Sequence, residues 1–330
     1  MWRCYPGKGG KSTKSYRRIL ILFPGSLGDF LCFLPTLQFL RMVNPECEIE
    51  IAARGEGISL ARRLPEVART LSLESGTFAK LFSSSPLLTD EEEHLFTRSD
   101  EVFSWFAHTQ PEVNAALRQI RARPVRSFSF FSGQEDTHAA GYYLRCVGGT
   151  EILCPSLVIE HEDGQWLETY WRQRGWDARS RVMVLHPGSG GKKKRWADVG
   201  FSRVARWWAS RRNTKVLILL GPAEEQEAEN WRRVGQVESS LSVWQAAALL
   251  SRADLYVGND SGVSHLAGAV GARGVVLFGP TRPRQWRPLG GALSVLQNLQ
   301  YRTEHPDEDG ITLTEVAAEE VMAALLRLGA

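Results

Sequence analysis

The sequence predicts an α/β protein made of two doubly wound domains, each a parallel sheet covered by helices, facing each other across a central cleft. Short, continuously apolar runs alternate with amphipathic helical stretches, the pattern of parallel strands buried on both faces. The alternation occurs twice, once from Arg17 and again from Arg181. A more polar joint lies between, around Ile159 to Arg181. With 330 residues, 43% of them hydrophobic, the chain is long enough to build two cores.

In the first half, "RRILILF" (17–23) reads as a buried strand ended by Pro-Gly. "PGSLGDF" follows as a Gly-rich turn. "LCFLPTLQFLRMV" is then helical, with Pro35 marking either a kink or the start of its regular part. "CEIEIAA" is a second strand and "GISLARRLPEV" a helix up to Leu64. "DEVFSWF" and "RSFSFF" are further strand candidates around the helical "EVNAALRQIRA", and the half closes on helical "AAGYYLRCVGG". The second half opens with strand "RVMVLHPG" and helix "DVGFSRVARWWASRR". Strand "KVLILLG", helices "EEQEAENWRRV" and "SVWQAAALLSRA", strand "DLYVG", helix "SHLAGAVG" and strand "GVVLFG" complete it. The organisation is a flexible basic arm (1–17), an N-terminal domain (18–165), a linker (166–180), a C-terminal domain (181–310) and an amphipathic terminal helix (311–330) able to pack on either domain.

The net charge of +3 is too mild for a nucleic-acid binder and suits an anionic small molecule or an anionic membrane surface. The five cysteines (Cys4, Cys32, Cys47, Cys146, Cys154) show no CxxC or metal spacing, which fits a reduced cytoplasmic setting. Cys32, inside an apolar run, reads as a small buried hydrophobe. No apolar stretch is long enough to cross a membrane, and the polar N-terminus excludes a secretory signal. Trp207, Trp208 and Trp231 fall on helices beside arginines, where packing is their expected role.

Several motifs are decoys. "YPGKGGKS" has Tyr5 where a P-loop needs glycine, and no strand before it. "PDEDG" (306–310) and "DEEEH" (90–94) read as solvated acidic segments. "KKKR" (192–195) follows a strand and a Gly-rich turn, a place that favours ligand contact over a solvated run.

In open parallel sheets, ligands bind beyond the carboxyl ends of the strands. Four loops of the second half occupy such ends: "HPGSGGKKKRW", "GPAEE", "GNDSGVSH" and "FGPTRPRQW". In the first, bare glycine backbone admits a phosphate closely, with Ser189 and Lys194 at hand. In the third, a G-x-S-x-G elbow is absent, so Ser261 is no hydrolase nucleophile. A helix starting near Gly262 turns its unpaired amides on the loop, an anion site. Asp260 or Ser261 serves there as N-cap, and His265 is either a site residue or a packed core histidine. Glu224 is either an acceptor for a ribose diol or an ordinary helix-start acid. Asp29, ending "PGSLGD", is either an N-cap or a general base.

"SLGDFLCFLPTL", "HPGSGGKKKRW", "GPAEE", "LYVGNDSGVSHLAGAVG" and "FGPTRPRQWRP", in that order, resemble the ADP-heptose:lipopolysaccharide heptosyltransferases, glycosyltransferase family 9. The resemblance spans both halves. It implies a GT-B architecture of two Rossmann-like domains, with the acceptor on the N-terminal and a nucleotide-sugar donor on the C-terminal domain. It also implies inverting transfer without a metal or cofactor, the ADP-sugar being a substrate. By position, Asp29 matches the catalytic base, and Ser189 and Lys194 the donor phosphate contacts, with the lysine register open within Lys192 to Lys194. Glu224 matches the ribose contact and Leu241 the residue against the base. Asp260, Ser261, Gly262 and His265 match the loop over sugar and diphosphate. Phe23 and Ala197 depart from the family, which often has a basic residue and a proline there. Arg54, Arg62 and Arg63 either bind an acidic glycan or glycolipid acceptor or form a solvated helix face.

The expected protein is a cytoplasmic bacterial heptosyltransferase of lipopolysaccharide biosynthesis, in possible peripheral contact with the inner membrane and binding no nucleic acid. A nucleotide-sugar epimerase of the same architecture would turn over a UDP-sugar without acceptor. A non-catalytic nucleotide-sugar-binding protein would bind donor without turnover.

Overall fold

A computed structural model of the chain describes residues 17–83, 85–121, 125–133, 136–297 and 316–330. The basic arm except Arg17, with Cys4 and the P-loop look-alike, lies outside the described residues, as does "PDEDG".

Two parallel sheets form the framework. The first contains β1 (Arg18–Leu22), β2 (Glu48–Ala53), β3 (Arg69–Ser72), β4 (Glu101–Ser104) and β5 (Val125–Ser127), in the order β3-β2-β1-β4-β5. The second contains β6 (Arg181–His186), β7 (Thr214–Leu219), β8 (Gln236–Glu238), β9 (Leu255–Asn259), β10 (Arg273–Phe278) and β11 (Ala292–Gln297), in the order β11-β10-β9-β6-β7-β8. Every pairing is parallel. The helices are α1 (Leu27–Val43), α2 (Gly55–Ala61), α3 (Gly76–Lys80), α4 (Asp90–Thr97), α5 (Pro111–Ile120), α6 (Ala139–Cys146), α7 (His161–Gln173), α8 (Asp198–Ala209), α9 (Ala228–Trp231), α10 (Val243–Arg252), α11 (Gly262–Ala269), α12 (Pro283–Trp286) and α13 (Ala318–Arg327).

By its contacts the chain divides into two units. One comprises the chain up to Pro24, Leu37–Arg54 and Ala61–Phe130; the other Gly25–Thr36, Gly55–Leu60 and Phe131 onward. The division runs through α1. Pro35 lacks an N–H, so the Leu31 carbonyl loses its helical donor there, and the contact boundary falls two residues on, at Leu37. The helix itself is continuous from Leu27.

In the first unit, Leu20, Leu22, Phe78, Phe96, Val102 and Leu117 pack in one core. Phe23 is fully buried against the Trp105 and Phe130 rings. Thr89 and Glu92 form a capping box that starts α4, so the acidic run 90–94 lies on a helix's first turn.

In the second unit, α8 and α13 share a core with β6, β7, β9 and β10. Phe201, Trp208, Trp231, Val257, Val321 and Leu325 are among its members. The terminal helix therefore packs on this unit, and the Trp196 indole N–H donates to the Val316 carbonyl at 2.9 Å. Trp208 and Trp231 are packing residues, as their helical setting suggests. The stretch read as a polar joint carries α7, whose Leu167, Tyr170 and Trp171 are buried. "EEQEAENWRRV" is only partly α-helical: Pro222 opens a 3-10 turn through Glu227 before the short α9.

The order of the second sheet reverses direction at β6 and β9, which are neighbours although β7 and β8 lie between them in sequence. Such a reversal leaves a crevice beyond the carboxyl ends of its two strands. The loops leaving β6 and β9 are "HPGSGGKKKRW" and "GNDSGVSH".

Candidate functional site

Asn259 joins these two loops. It ends β9, fully buried, and such an amide needs partners on both ends. Its Oδ1 accepts from the Trp196 amide at 3.0 Å, and its Nδ2 donates to the Pro187 carbonyl at 2.8 Å. Ser189 Oγ adds a bond to the Asp260 carbonyl at 2.8 Å. Lys194 closes the 3-10 turn Lys192–Lys194, and its Nζ lies 2.8 Å from Asp260 Oδ2. Thr281 Oγ1 donates to the same oxygen at 2.6 Å, and the Gln297 amide ties the Thr281 loop through the Gly279 and Thr281 carbonyls. Asp260 is 5% exposed and Lys194 partly so, making this a fixed charge pair with a cationic end toward solvent. Of the three lysines, Lys194 is the one whose ammonium joins Asp260; Arg195 turns away to Glu224 and Glu227.

Ser261 is the N-cap of α11, its Oγ accepting from the Ser264 amide at 3.3 Å. Ser264, fully buried, exchanges a hydrogen bond with the Tyr256 hydroxyl at 2.8 Å and donates to the Asn259 carbonyl at 2.5 Å. The first turn of α11 abuts that of α1. A Cβ on Gly262 would come within 3.0 Å of Leu27 Cβ and 3.2 Å of the Gly28 nitrogen. A Cβ on Gly28 would meet His265 Cδ2 at 3.2 Å and the Gly262 Cα at 3.4 Å. Two glycines therefore let two helix N-termini touch, and their partial positive charges add.

Asp29 sits in that first turn of α1, within the second unit by its contacts. Its Oδ2 accepts from Ser26 N at 3.0 Å and Ser26 Oγ at 2.7 Å. Burial raises its pKa above the ordinary carboxylate value. The Ser26 bonds and the Lys194 charge pull it back, and the Asp260 charge pushes it further up. Asp29 is thus the third residue of α1, its carboxylate bonded back to Ser26, and not the N-cap itself. His265 is 6% exposed, and burial lowers its pKa to about 4, so it is a neutral imidazole near pH 7.

Glu224 is 3% exposed and engaged on both oxygens. Oε2 accepts from the Gly221 amide at 3.0 Å, and Oε1 pairs with Arg195 at 2.6 Å. It also lies over Gly188, where a Cβ would come within 2.5 Å of Oε2. The carboxylate thus has the helix-start position and packs over the Gly188 turn. Leu241 lines a cavity of about 340 Å³ with Leu27, Leu219, Val243, Val263 and Leu266, and Glu56 and Glu225 line it too.

Asp29, Ser189, Lys194, Glu224, Leu241, Asp260, Ser261, Gly262 and His265 therefore all belong to one unit. Arg54, Arg62 and Arg63 belong to the other. Arg54 and Arg62 are exposed, and Arg54 lies 5.7 Å from the centre of the Phe106 ring. Sequence reasoning did not single out Asn259, Ser264 or Thr281, although all three stand in motifs it quoted. A polar residue ending an apolar strand was the available signal for Asn259. Among the described residues no group of three metal-ligating side chains forms.

Residues 160–311 match the family model of glycosyltransferase family 9 (heptosyltransferase). Lipooligosaccharide heptosyltransferase 2 of Haemophilus influenzae is 21% identical over 318 residues, covering 86% of this chain and 89% of that protein. A family 9 glycosyl transferase from Veillonella parvula superposes with a TM-score of 0.77 at 19% identity, covering 95% of this chain and 97% of that one. The Escherichia coli ADP-heptose LPS heptosyltransferase II gives 0.72 at 17% identity, covering 94% and 98%. With its two parallel sheets, this chain has the fold of those structures. Residues 160–311 thus match the family 9 domain, and the chain as a whole is similar to heptosyltransferases of that family.

Proposed function

We propose that this chain moves a heptose, or a similar sugar, from an ADP-sugar to a hydroxyl of a lipopolysaccharide core or related glycan, with inversion and without a metal. The observation that carries this reading is the convergence of Asp29, the Lys194–Asp260 pair and the touching N-termini of α1 and α11 within one unit. The known substrates of similar proteins agree: the E. coli structure is of an ADP-heptose LPS heptosyltransferase.

In this reading the diphosphate lies against the first turn of α11. The amides of Gly262 and Val263, free of protein acceptors among the described residues, then donate to it beside Lys194. Adenine enters the apolar cavity at Leu241, and Glu224 accepts from the ribose hydroxyls. The Asp29 carboxylate takes the proton of the acceptor hydroxyl as its oxygen attacks the anomeric carbon. The bond from that carbon to the diphosphate breaks and ADP leaves. A raised pKa makes Asp29 a stronger base than an ordinary carboxylate. The charge growing on the leaving group meets donors already in place, the electrostatic term that dominates many enzymes. In this reading the base and the leaving group lie on opposite faces of the sugar, so one displacement inverts the anomeric centre.

Arg54, Arg62 and Arg63 serve an anionic acceptor, so the first unit takes the acceptor role and the second the donor role. The enzyme works in the cytoplasm, touching the inner membrane only peripherally. Among the described residues no helix is long and apolar enough to cross a membrane.

The test is ADP release from ADP-heptose with and without a deacylated lipopolysaccharide-core acceptor, each with and without a chelator. Acceptor-dependent release that survives the chelator is the expected result. Turnover of a UDP-sugar without acceptor would make the chain an epimerase, and donor binding without release a binding protein.

A further inference from the structure

His265 is held from one side only. Its Nδ1 lies 3.6 Å from the Sγ of Cys32, which sits 1% exposed in α1. Its Cδ2 edge faces Gly28. Its Nε2 has no partner among the described residues, although the ring is more than nine-tenths buried. The charges the ring feels are Asp260, His138 and Lys194.

We propose that Cys32 is a positioning residue: its S–H donates to His265 Nδ1, fixing the Nε2–H tautomer and presenting that N–H to the diphosphate of the donor. The proposal rests on the donor-site reading of His265. A neutral imidazole has one donor and one acceptor nitrogen, and the partner of one sets the role of the other. Two pairings are open to a thiol. Sulfur is a weak acceptor, whereas an imidazole lone pair is a strong one, so the thiol S–H donates a hydrogen bond to Nδ1. Burial keeps the pair in the needed states, pushing the thiol pKa up and the imidazole pKa down. The Nε2–H is then the one uncommitted donor on the ring. Orientation of a ring by a partner behind it is how histidine ligands are held elsewhere.

The test uses ¹⁵N-labelled full-length protein without substrate. The tautomer of His265 is read from its ring nitrogen shifts, assigned by their loss in His265→Gln. The wild type and Cys32→Ser, which keeps a donor, are expected to show Nε2–H, and Cys32→Ala a mixture. Turnover should follow the tautomer. Cys32→Ala should lose on the order of 10-fold in kcat with little change in the donor KM, and Cys32→Ser should restore most of it. An Nδ1–H wild type, or a Cys32→Ala spectrum matching the wild type, overturns the inference. A shifted tautomer with unchanged turnover overturns instead the placing of His265 at the donor. Melting curves of both variants separate these outcomes from unfolding.

Discussion

The strand-end loops of the two units are built differently. In the second unit, polar groups are buried and cross-tied: Asn259 spans two loops, Ser264 closes on Tyr256, and Asp260 takes Lys194 and Thr281. In the first, Arg54, just after β2, and Arg62, just after α2, stand in solvent on long side chains. A buried, satisfied network holds its donors in place before the ligand arrives, so little reorganisation accompanies the reaction. Exposed arginines instead adapt to a partner and lose side-chain entropy in doing so. The contrast fits a small, fixed donor bound by the second unit and a larger, variable acceptor met by the first.

The largest effect should come from Asp29, the carboxylate proposed as the base. Asp29→Asn keeps the shape and most of the capping but removes the base. The expected loss in kcat is roughly 10²- to 10⁴-fold, with ADP affinity by calorimetry little changed. Near-wild-type turnover would leave Asp29 a partner of Ser26 alone.

The next effect is on stability. His265 has a folded pKa of about 4, below its ordinary value near 6.5. Protons therefore bind the unfolded chain first, and stability is intact above pH 6.5 and lost as pH falls toward 4. Between pH 7 and 5 this amounts to about 2 kcal/mol. Denaturant titrations at both pH values should show that loss in the wild type and a smaller one in His265→Gln. Equal losses would mean that the ring is wetter than its burial implies.

Lys194→Met should weaken ADP binding by about 10-fold, less than a free cation would give, because Asp260 already holds Lys194. It should also move the acid limb of kcat/KM upward. The Lys194 charge holds the Asp29 pKa down, so without it Asp29 protonates at higher pH and activity falls sooner on acidification. A downward move would contradict their proximity.

The rigid site was also the more legible half of the sequence. Strands flanked on both sides, such as β1, β6, β9 and β10, are continuous apolar runs and were read directly. The strands β3, β8 and β11 were not read: each is an edge, only half-buried, and so lacks that run. Glycine-rich strand ends and a helix start marked the proposed anion site around Gly262. The sequence could not reveal that the start of α1 groups with the second unit, because that depends on Gly28 meeting Gly262 from 234 positions away. The ties made by Thr281 and Asn259 were hidden for the same reason.

The smallest effects belong to the exposed arginines, and they decide what the first unit does. Arg54 and Arg62 are exposed, so a bound anion would meet each in high dielectric and under salt screening. Single alanine variants should therefore raise the acceptor KM by only about 2- to 5-fold. Arg54 also lies beside Phe106, and its loss should be the larger because the ring limits where the guanidinium can go. Both effects should shrink as salt rises, while ADP affinity stays constant, since these residues lie in the unit without the loops proposed to bind the donor. A double variant with an unchanged acceptor KM at low salt would make this a solvated helix face. The acceptor's charge would then have to be met elsewhere, by residues of the kind that Lys194 represents, held in place before the ligand arrives.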